Sequence, residues 1–205
     1  GSGSAQSSLH GGPGIRQRPA PAPDDVLTTS PAGFVPRPMT ADDCAEVAEI
    51  RIRGWQYAYK GFVPQPYLDG LDIAADADRQ RARLLAGDRR VVNLVVDGDG
   101  GKLLGWVALG PYRDGGTHTE DAELYALYLR PRHIGRGVGR ALLASAVRHC
   151  AAAGHPRMYL WVLKDNTRAR RFYERAGFAA DGAEEAFEVG GAVVPEVRYV
   201  KDLRG

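Results

Sequence analysis

The stretch Leu127-Tyr-Leu-Arg-Pro-Arg-His-Ile-Gly-Arg-Gly-Val-Gly-Arg-Ala-Leu-Leu143 decides the reading of this chain. An apolar strand runs into a loop with Gly135, Gly137 and Gly139 at alternate positions, and a helix opens directly from it. Glycines let backbone approach a ligand closely, and the first-turn N–H groups of a helix have no partner of their own. Such a terminus accepts phosphate or pyrophosphate, and Arg136 and Arg140 add positive charge. A Walker A loop needs Gly-Lys-Ser/Thr, which is absent, and the dinucleotide fingerprint G-x-G-x-x-G does not match the G-x-G-x-G found here. The acidic residue expected about 20 positions further on is missing as well, since Met158 to Trp161 are apolar. On spacing alone, a glycine-rich turn without a ligand stays open.

On the C-terminal side, Val138 to Ala153 is an alanine- and leucine-rich helix ending at Gly154, a natural C-cap position. Met158 to Leu163 reads as a strand, Asn166 to Ala176 as a helix stopped at Gly177, and Phe178 to Lys201 as two short strands around Gly190-Gly191. On the N-terminal side, Glu123 to Leu129 is a third long strand, preceded by a hairpin of Val91 to Asp97 and Leu103 to Leu109 around Gly98-Asp-Gly-Gly101. Phe34 to Arg37 reads as a short strand, and Thr40 with Asp43 resembles a capping box. Cys44, Val47, Ala48, Ile52 and Trp55 recur at helical spacing, which predicts a helix from Ala41 to Tyr57. Lys60 to Tyr67, broken by two prolines, is expected to be a loop, and a second helix runs over Ile73 to Ala86. The order βααβββαβαββ predicts an α/β (α+β) fold, one domain over 34–205 with a mixed sheet of about six or seven strands and about four helices.

Composition narrows the function classes. The 205 residues include 27 basic and 25 acidic side chains, a net charge of +2 that gives no global argument for nucleic acid. No apolar run approaches the ~20 residues that span a bilayer, so no membrane role is expected and the expected location is the cytoplasm. Cys44 and Cys150 are the only cysteines, too few for a disulfide scaffold and without metal-site spacing. Arginine outnumbers lysine 23 to 4, the mark of GC-rich coding of a bacterial kind. Residues 1–33 are rich in Gly, Pro, Ser and Ala and read as a disordered tail. Their start, Gly1-Ser-Gly-Ser4, reads as a vector remnant rather than a signal peptide.

Two segments together carry a family resemblance. Ile134 to Gly139 is similar to the acetyl-coenzyme A signature Arg/Gln-x-x-Gly-x-Gly/Ala of the GCN5-related N-acetyltransferase (GNAT) superfamily, with Ile134 departing from Arg/Gln. Asn166-Thr-Arg-Ala-Arg-Arg-Phe-Tyr-Glu-Arg-Ala-Gly-Phe178 is similar to that superfamily's other recurrent segment, at the right separation. The resemblance implies acetyl transfer from acetyl-CoA to a primary amine by direct attack in a ternary complex, with no metal. It implies that the backbone of Leu127, Tyr128 and Leu129 pairs with the pantetheine arm, as a strand partner would. Gly135, Arg136, Gly137, Val138, Gly139 and Arg140 would then cradle the pyrophosphate. The packing alternative for Leu127 and Leu129 is the core, which their side chains can serve at the same time.

Tyr173 shares a helix face with Ala169, Phe172 and Ala176, so periodicity alone reads it as a core tyrosine. The resemblance makes it the general acid for the departing thiolate. Asn166, two turns earlier on the same face, is a good N-cap; by resemblance it also offers its amide to acetyl-CoA, and Asp165 competes for the cap. Glu123 stands four residues before Leu127, on the same face of an alternating strand and roughly 13 Å away. By resemblance it is the general base, against a plain strand-start glutamate. His118, Glu120 and Asp121 compete for that role, and Trp161 occupies the place where other members carry it.

Trp55, Tyr57, Tyr59 and Phe62 cluster where the resemblance implies a wall of the acceptor pocket, which could hold an ammonium by cation–π contact. Ordinary core packing is the alternative. The acceptor is a small-molecule or peptide amine, and a homodimer is left open. A degenerate member that binds acetyl-CoA as a sensor without turnover is the alternative function. Arg130, Arg132, Arg136 and Arg140 predict a basic patch at the loop, and Asp69, Asp72, Asp76 and Asp78 an acidic approach for a cationic amine.

Overall fold

A computed structural model describes residues 33–115 and 117–205, the side chains of residues 117 and 118 excepted. All but Gly33 of the tail expected over 1–33 therefore lies outside the described residues. The elements run β1 (Arg37–Pro38), α1 (Cys44–Ala58), α2 (Gln65–Asp69), α3 (Ile73–Ala86), β2 (Val92–Asp97), β3 (Leu103–Asp114) and β4 (Thr117–Leu129). They continue α4 (Val138–Ala152), β5 (Arg157–Leu163), α5 (Thr167–Arg175), β6 (Ala179–Val189) and β7 (Ala192–Asp202). One seven-stranded sheet forms in the order β1-β2-β3-β4-β5-β7-β6. Every neighbouring pair is antiparallel except β4–β5, which is parallel, as a crossover through α4 requires.

Both faces of the sheet are covered. Val138, Leu142, Leu143, Ala146 and Cys150 of α4 join Ala169, Phe172 and Tyr173 of α5 against Leu94, Val107, Leu124, Leu127 and Leu160. Val47, Ile50, Trp55 and Ala58 of α1 pack on the opposite face with Val95, Trp106, Ala108, Tyr125 and Tyr128. Each fully buried leucine or valine contributes about 1.5–3 kcal/mol. Arg37 ties β1 to its neighbours through Asp43 at 2.9 Å and Asp97 at 2.6 Å, holding both carboxyls below the usual carboxylate range.

Three local readings change. Lys60 to Tyr67 is not all loop: α2 begins at Gln65, with Pro66 in its first turn, where the missing N–H costs nothing. The strand expected at Phe34 to Arg37 is Arg37–Pro38. The β3–β4 hairpin is far longer than Leu103–Leu109 and Glu123–Leu129, because Pro111 sits beside a register irregularity that tolerates its missing donor.

Gly54 is buried in α1 directly over the Tyr128 ring, and a Cβ there would collide with that ring. Tyr128 is fully buried and stacked on Trp106 at 6.2 Å, so it has little room to move. Alanine gains about 1 kcal/mol of helix propensity, whereas overpacking costs about 1–3 kcal/mol. Gly54→Ala is therefore expected to lower stability by about 1 kcal/mol, read as an earlier midpoint in chemical denaturation.

Candidate active site

The site is built where two neighbouring strands part. β4 and β5 pair only at Ala122↔Met158 and Glu123↔Tyr159, although β4 runs on to Leu129 and β5 to Leu163. Beyond Glu123, the edge of β4 that faces β5 has no ladder partner among the described residues. A β-bulge lies at the same place, since Ala108 pairs with Ala126 but Leu109 with Leu124, leaving Tyr125 extra. Leu124 and Leu127 consequently both face α4 and α5, while Tyr125, Ala126 and Tyr128 face α1. This corrects the expected geometry of Glu123. The bulge breaks the alternation, so Glu123 points to the α1 and α3 face and Leu127 to the other.

The glycine loop leads from β4 into α4. Gly135 and Gly137 adopt φ of +85° and +88°, a region other residues enter only with strain, and Gly137 is the N-cap of α4. Ala141 N–H bonds to Gly137 O at 3.0 Å, so the N–H groups of Val138, Gly139 and Arg140 precede the first intrahelical bond. Arg130 does not belong to the basic patch: it donates to Glu49 at 3.0 Å, to Glu46 at 3.2 Å and to Leu103 O. Arg132, Arg136 and Arg140 remain. Burial and then the field of Arg136, Arg132 and Arg130 push the His133 pKa down. A cavity of about 380 Å³ continues from Arg140 along α4 to Arg148, closed by Phe172, Arg175 and Ala176 of α5 and by Lys201.

Asn166 caps α5, its side chain accepting from Ala169 N–H at 3.1 Å, so Asp165 is not the cap. Tyr173 is fully buried on the α4 and α5 side, edge-on to Phe172 at 5.2 Å and to Phe178 at 6.0 Å. Both cysteines are free and buried, and burial raises the Cys44 thiol and pushes Cys150 up to about 12, which keeps both as unreactive thiols.

Glu123 is 1% exposed, with Oε1 at a long 3.5 Å from the Arg113 backbone N–H. Of its competitors, Asp121 pairs with Arg157 at 3.1 Å and Glu120 is exposed, while the His118 side chain lies outside the described residues. Trp161 is buried beside Arg198, whose guanidinium covers Tyr159 at 4.7 Å and bonds Asp181 and the Tyr112 hydroxyl. The aromatic wall divides. Trp55 and Tyr59 stack at 3.9 Å in the core, whereas Tyr57 and Phe62 are 47% and 39% exposed and do not join them.

The expected acidic approach is also reduced. Asp76 is fully buried against Arg51, Asp72 caps α3 through Ala75 N–H, and Asp78 pairs with Arg81. Sequence reading named Asp76 only as part of that approach and missed its polar surroundings, Arg51, Arg79, Gln80 and Arg113, and the buried carboxylate Glu196. Arg51 stood in view: it follows Val47 and precedes Trp55 by one turn each, on the buried stripe of α1.

A family model described as Acetyltransferase (GNAT) family matches residues 54–178. An uncharacterized N-acetyltransferase of Bacillus subtilis, YuaI, is 30% identical over 161 residues, covering 78% of this chain and 88% of that protein. The mycothiol acetyltransferase of Clavibacter sepedonicus is 34% identical over 151 residues, 72% of this chain but only 43% of the relative. Among solved structures, the PaiA N-acetyltransferase of Thermoplasma acidophilum in complex with coenzyme A superposes with a TM-score of 0.64 at 20% identity, over 83% of this chain and 99% of that one. YncA of Salmonella typhimurium with acetyl-CoA gives 0.64 at 21%, over 85% and 96%. The chain therefore belongs to the GNAT acetyltransferase family as an N-acetyltransferase. Among the described residues no helix is long and apolar enough to cross a membrane.

Proposed function

We propose that the protein transfers an acetyl group from acetyl-CoA to a primary amine by direct attack in a ternary complex. The observation that carries this reading is the end of β4–β5 pairing after Glu123, beyond which the edge of β4 at Leu127 and Leu129 has no ladder with β5 among the described residues. That edge offers an extended pantetheine arm the hydrogen bonds of a missing strand. The left-handed Gly135 and Gly137, the first N–H groups of α4 and Arg132, Arg136 and Arg140 fit a pyrophosphate. The adjoining cavity, with Arg140, Arg148, Arg175 and Lys201 around an apolar floor, fits a phosphorylated nucleoside.

Acetyl-CoA supplies an activated acyl group on a thiol whose pKa of about 8.5 makes it a good leaving group. The chain supplies proton handling from opposite faces of the sheet. An alkyl ammonium, pKa about 10.4, must lose a proton before it can attack, and Glu123 on the α1 and α3 face takes it. Tyr173, on the α4 and α5 side, donates to the departing thiolate. An N–H of the unpaired β4 edge near Leu127 holds the carbonyl oxygen as charge develops. Trp55 and Tyr59 serve as a packed wall behind the acceptor.

Free-thiol release over a panel of primary amines tests the reading. Turnover with at least one amine is expected; binding of acetyl-CoA with no turnover on any would overturn it in favour of a sensor. Tyr173→Phe removes one hydroxyl from a packed site, so kcat is expected to fall about tenfold or more with the KM for acetyl-CoA unchanged. An unchanged kcat would remove the general-acid role.

A further inference from the structure

The face of the sheet that carries Glu123 is lined by more positive charge than its own carboxylates balance. Arg51 and Asp76 are both fully buried and paired, and Arg79 reaches the same Asp76 oxygen at 3.5 Å. Arg113 lies over the Tyr125 ring at 4.1 Å, with its backbone N–H on Glu123. Arg83 stays solvent-exposed, yet burial and then Arg51, with Arg79 and Arg113 adding to it against Asp76, lower its pKa. Arg83 thus stands at the exposed rim of the cluster. Four guanidiniums therefore meet three buried carboxylates on that face, Asp76, Glu123 and Glu196. The nearby Asp88 and Arg90 pair with each other at 3.0 Å and add one charge of each sign.

The cluster also has donors left over. Gln80 is 5% exposed, and its Nε2 is buried without a hydrogen-bond partner among the described residues. The same holds for Nη2 of Arg113 and Nε of Arg79. A buried unsatisfied donor costs about 1–3 kcal/mol, more when it is charged, so three in one cluster point to an acceptor group that arrives with a ligand. Asp76 Oδ2 is also buried without a hydrogen-bond partner among the described residues, but its carboxylate already serves Arg51 and Arg79.

We infer that the acceptor amine carries an anionic group, a carboxylate or a comparable oxyanion, held by Arg113, Arg79, Arg83 and Gln80 while its amine faces Glu123. The inference rests on the acetyltransferase reading and deepens it by naming the substrate class. An oxyanion on Arg113 anchors the acceptor on the strand next to Glu123, since Gly110 and Glu123 are direct partners across β3 and β4. It accepts from the spare guanidinium and amide N–H groups, and charge-assisted bonds of this kind are the strong ones. An amine without the anion leaves those donors unsatisfied, which is how a polar pocket rejects a smaller analogue.

The test uses matched acceptors in the free-thiol assay: phenylalanine against phenethylamine, leucine against isoamylamine, and aminomethylphosphonate against methylamine. The acidic member of at least one pair is expected to have a kcat/KM about tenfold or more above its partner. The carboxylate and phosphonate arms identify which oxyanion is taken. Arg113→Gln is expected to raise KM for the acidic acceptor about tenfold while moving that of its partner no more than about twofold. Arg83→Gln, at an exposed position, gives the same split should Arg113→Gln fail to fold. Equal or better turnover of the neutral-tailed amines, or variants that slow both members alike, would overturn the inference and leave the acetyltransferase reading standing. No turnover of either set despite acetyl-CoA binding would overturn that reading itself.

Discussion

Glu123→Gln is expected to lower kcat/KM for the acceptor amine by about a hundredfold or more near neutral pH, from the lower end of the range for a positioned base upward. The substitution keeps shape and hydrogen-bonding capacity at a site that is 1% exposed, so folding is preserved and the effect isolates proton transfer. The deficit has a predicted pH dependence. Without the carboxylate, only acceptor that arrives already deprotonated can attack, and that fraction rises about tenfold per pH unit below an amine pKa of about 10.4. The gap between variant and parent should therefore be widest at low pH and close as pH rises. A parallel loss at every pH would mean that Glu123 positions the acceptor and that the base lies elsewhere, with Glu196 the next buried carboxylate on that face.

Arg51→Met is expected to destabilise the fold by about 3–5 kcal/mol, because it leaves the fully buried Asp76 carboxylate with only Arg79 at 3.5 Å. In a domain of this size that corresponds to a fall in Tm of very roughly 6–20 °C. Burial pulls the Arg51 pKa down and Asp76 opposes it, which marks the pair as a compromise between desolvation and Coulomb attraction. The double variant Arg51→Met with Asp76→Leu removes both charges and is expected to recover most of the loss. If the single and double variants melt together, the pair contributes nothing beyond packing. If the double variant is stable but its KM for the acceptor rises, the pair shapes the acceptor site as well as the core.

Much of the fold was legible because its signals are local. The glycine loop of 135–139, the helices of 73–86 and 138–152 and the strand of 157–163 each follow from periodicity and from stop residues inside the segment. Even Asn166, read as a cap, makes the cap bond to Ala169. Pro66 misled, and the strand read only to Leu109 runs on past Pro111, for the opposite reason. A proline excludes a regular interior, but the first turn of α2 and an irregular stretch of β3 both accommodate one, and neither is visible from the residue alone.

By itself, the sequence determined the class of this protein. The segments of 134–139 and 166–178 need particular backbone conformations at fixed positions, and local chemistry dictates those conformations wherever the chain runs. The tertiary structure alone decided which way the site faces. One extra residue at Tyr125, set by the register of β3 against β4, turns Glu123 away from Leu127 and towards the arginines. Side chains alternate with a period of two, so a single inserted residue reverses every assignment beyond it. Arg51 finds Asp76 across 25 residues and Arg130 finds Glu49 across 81, and both pairings rearrange the charge that a linear count assigns to the site. Pairing over such distances depends on how helices and strands pack, which no local pattern encodes.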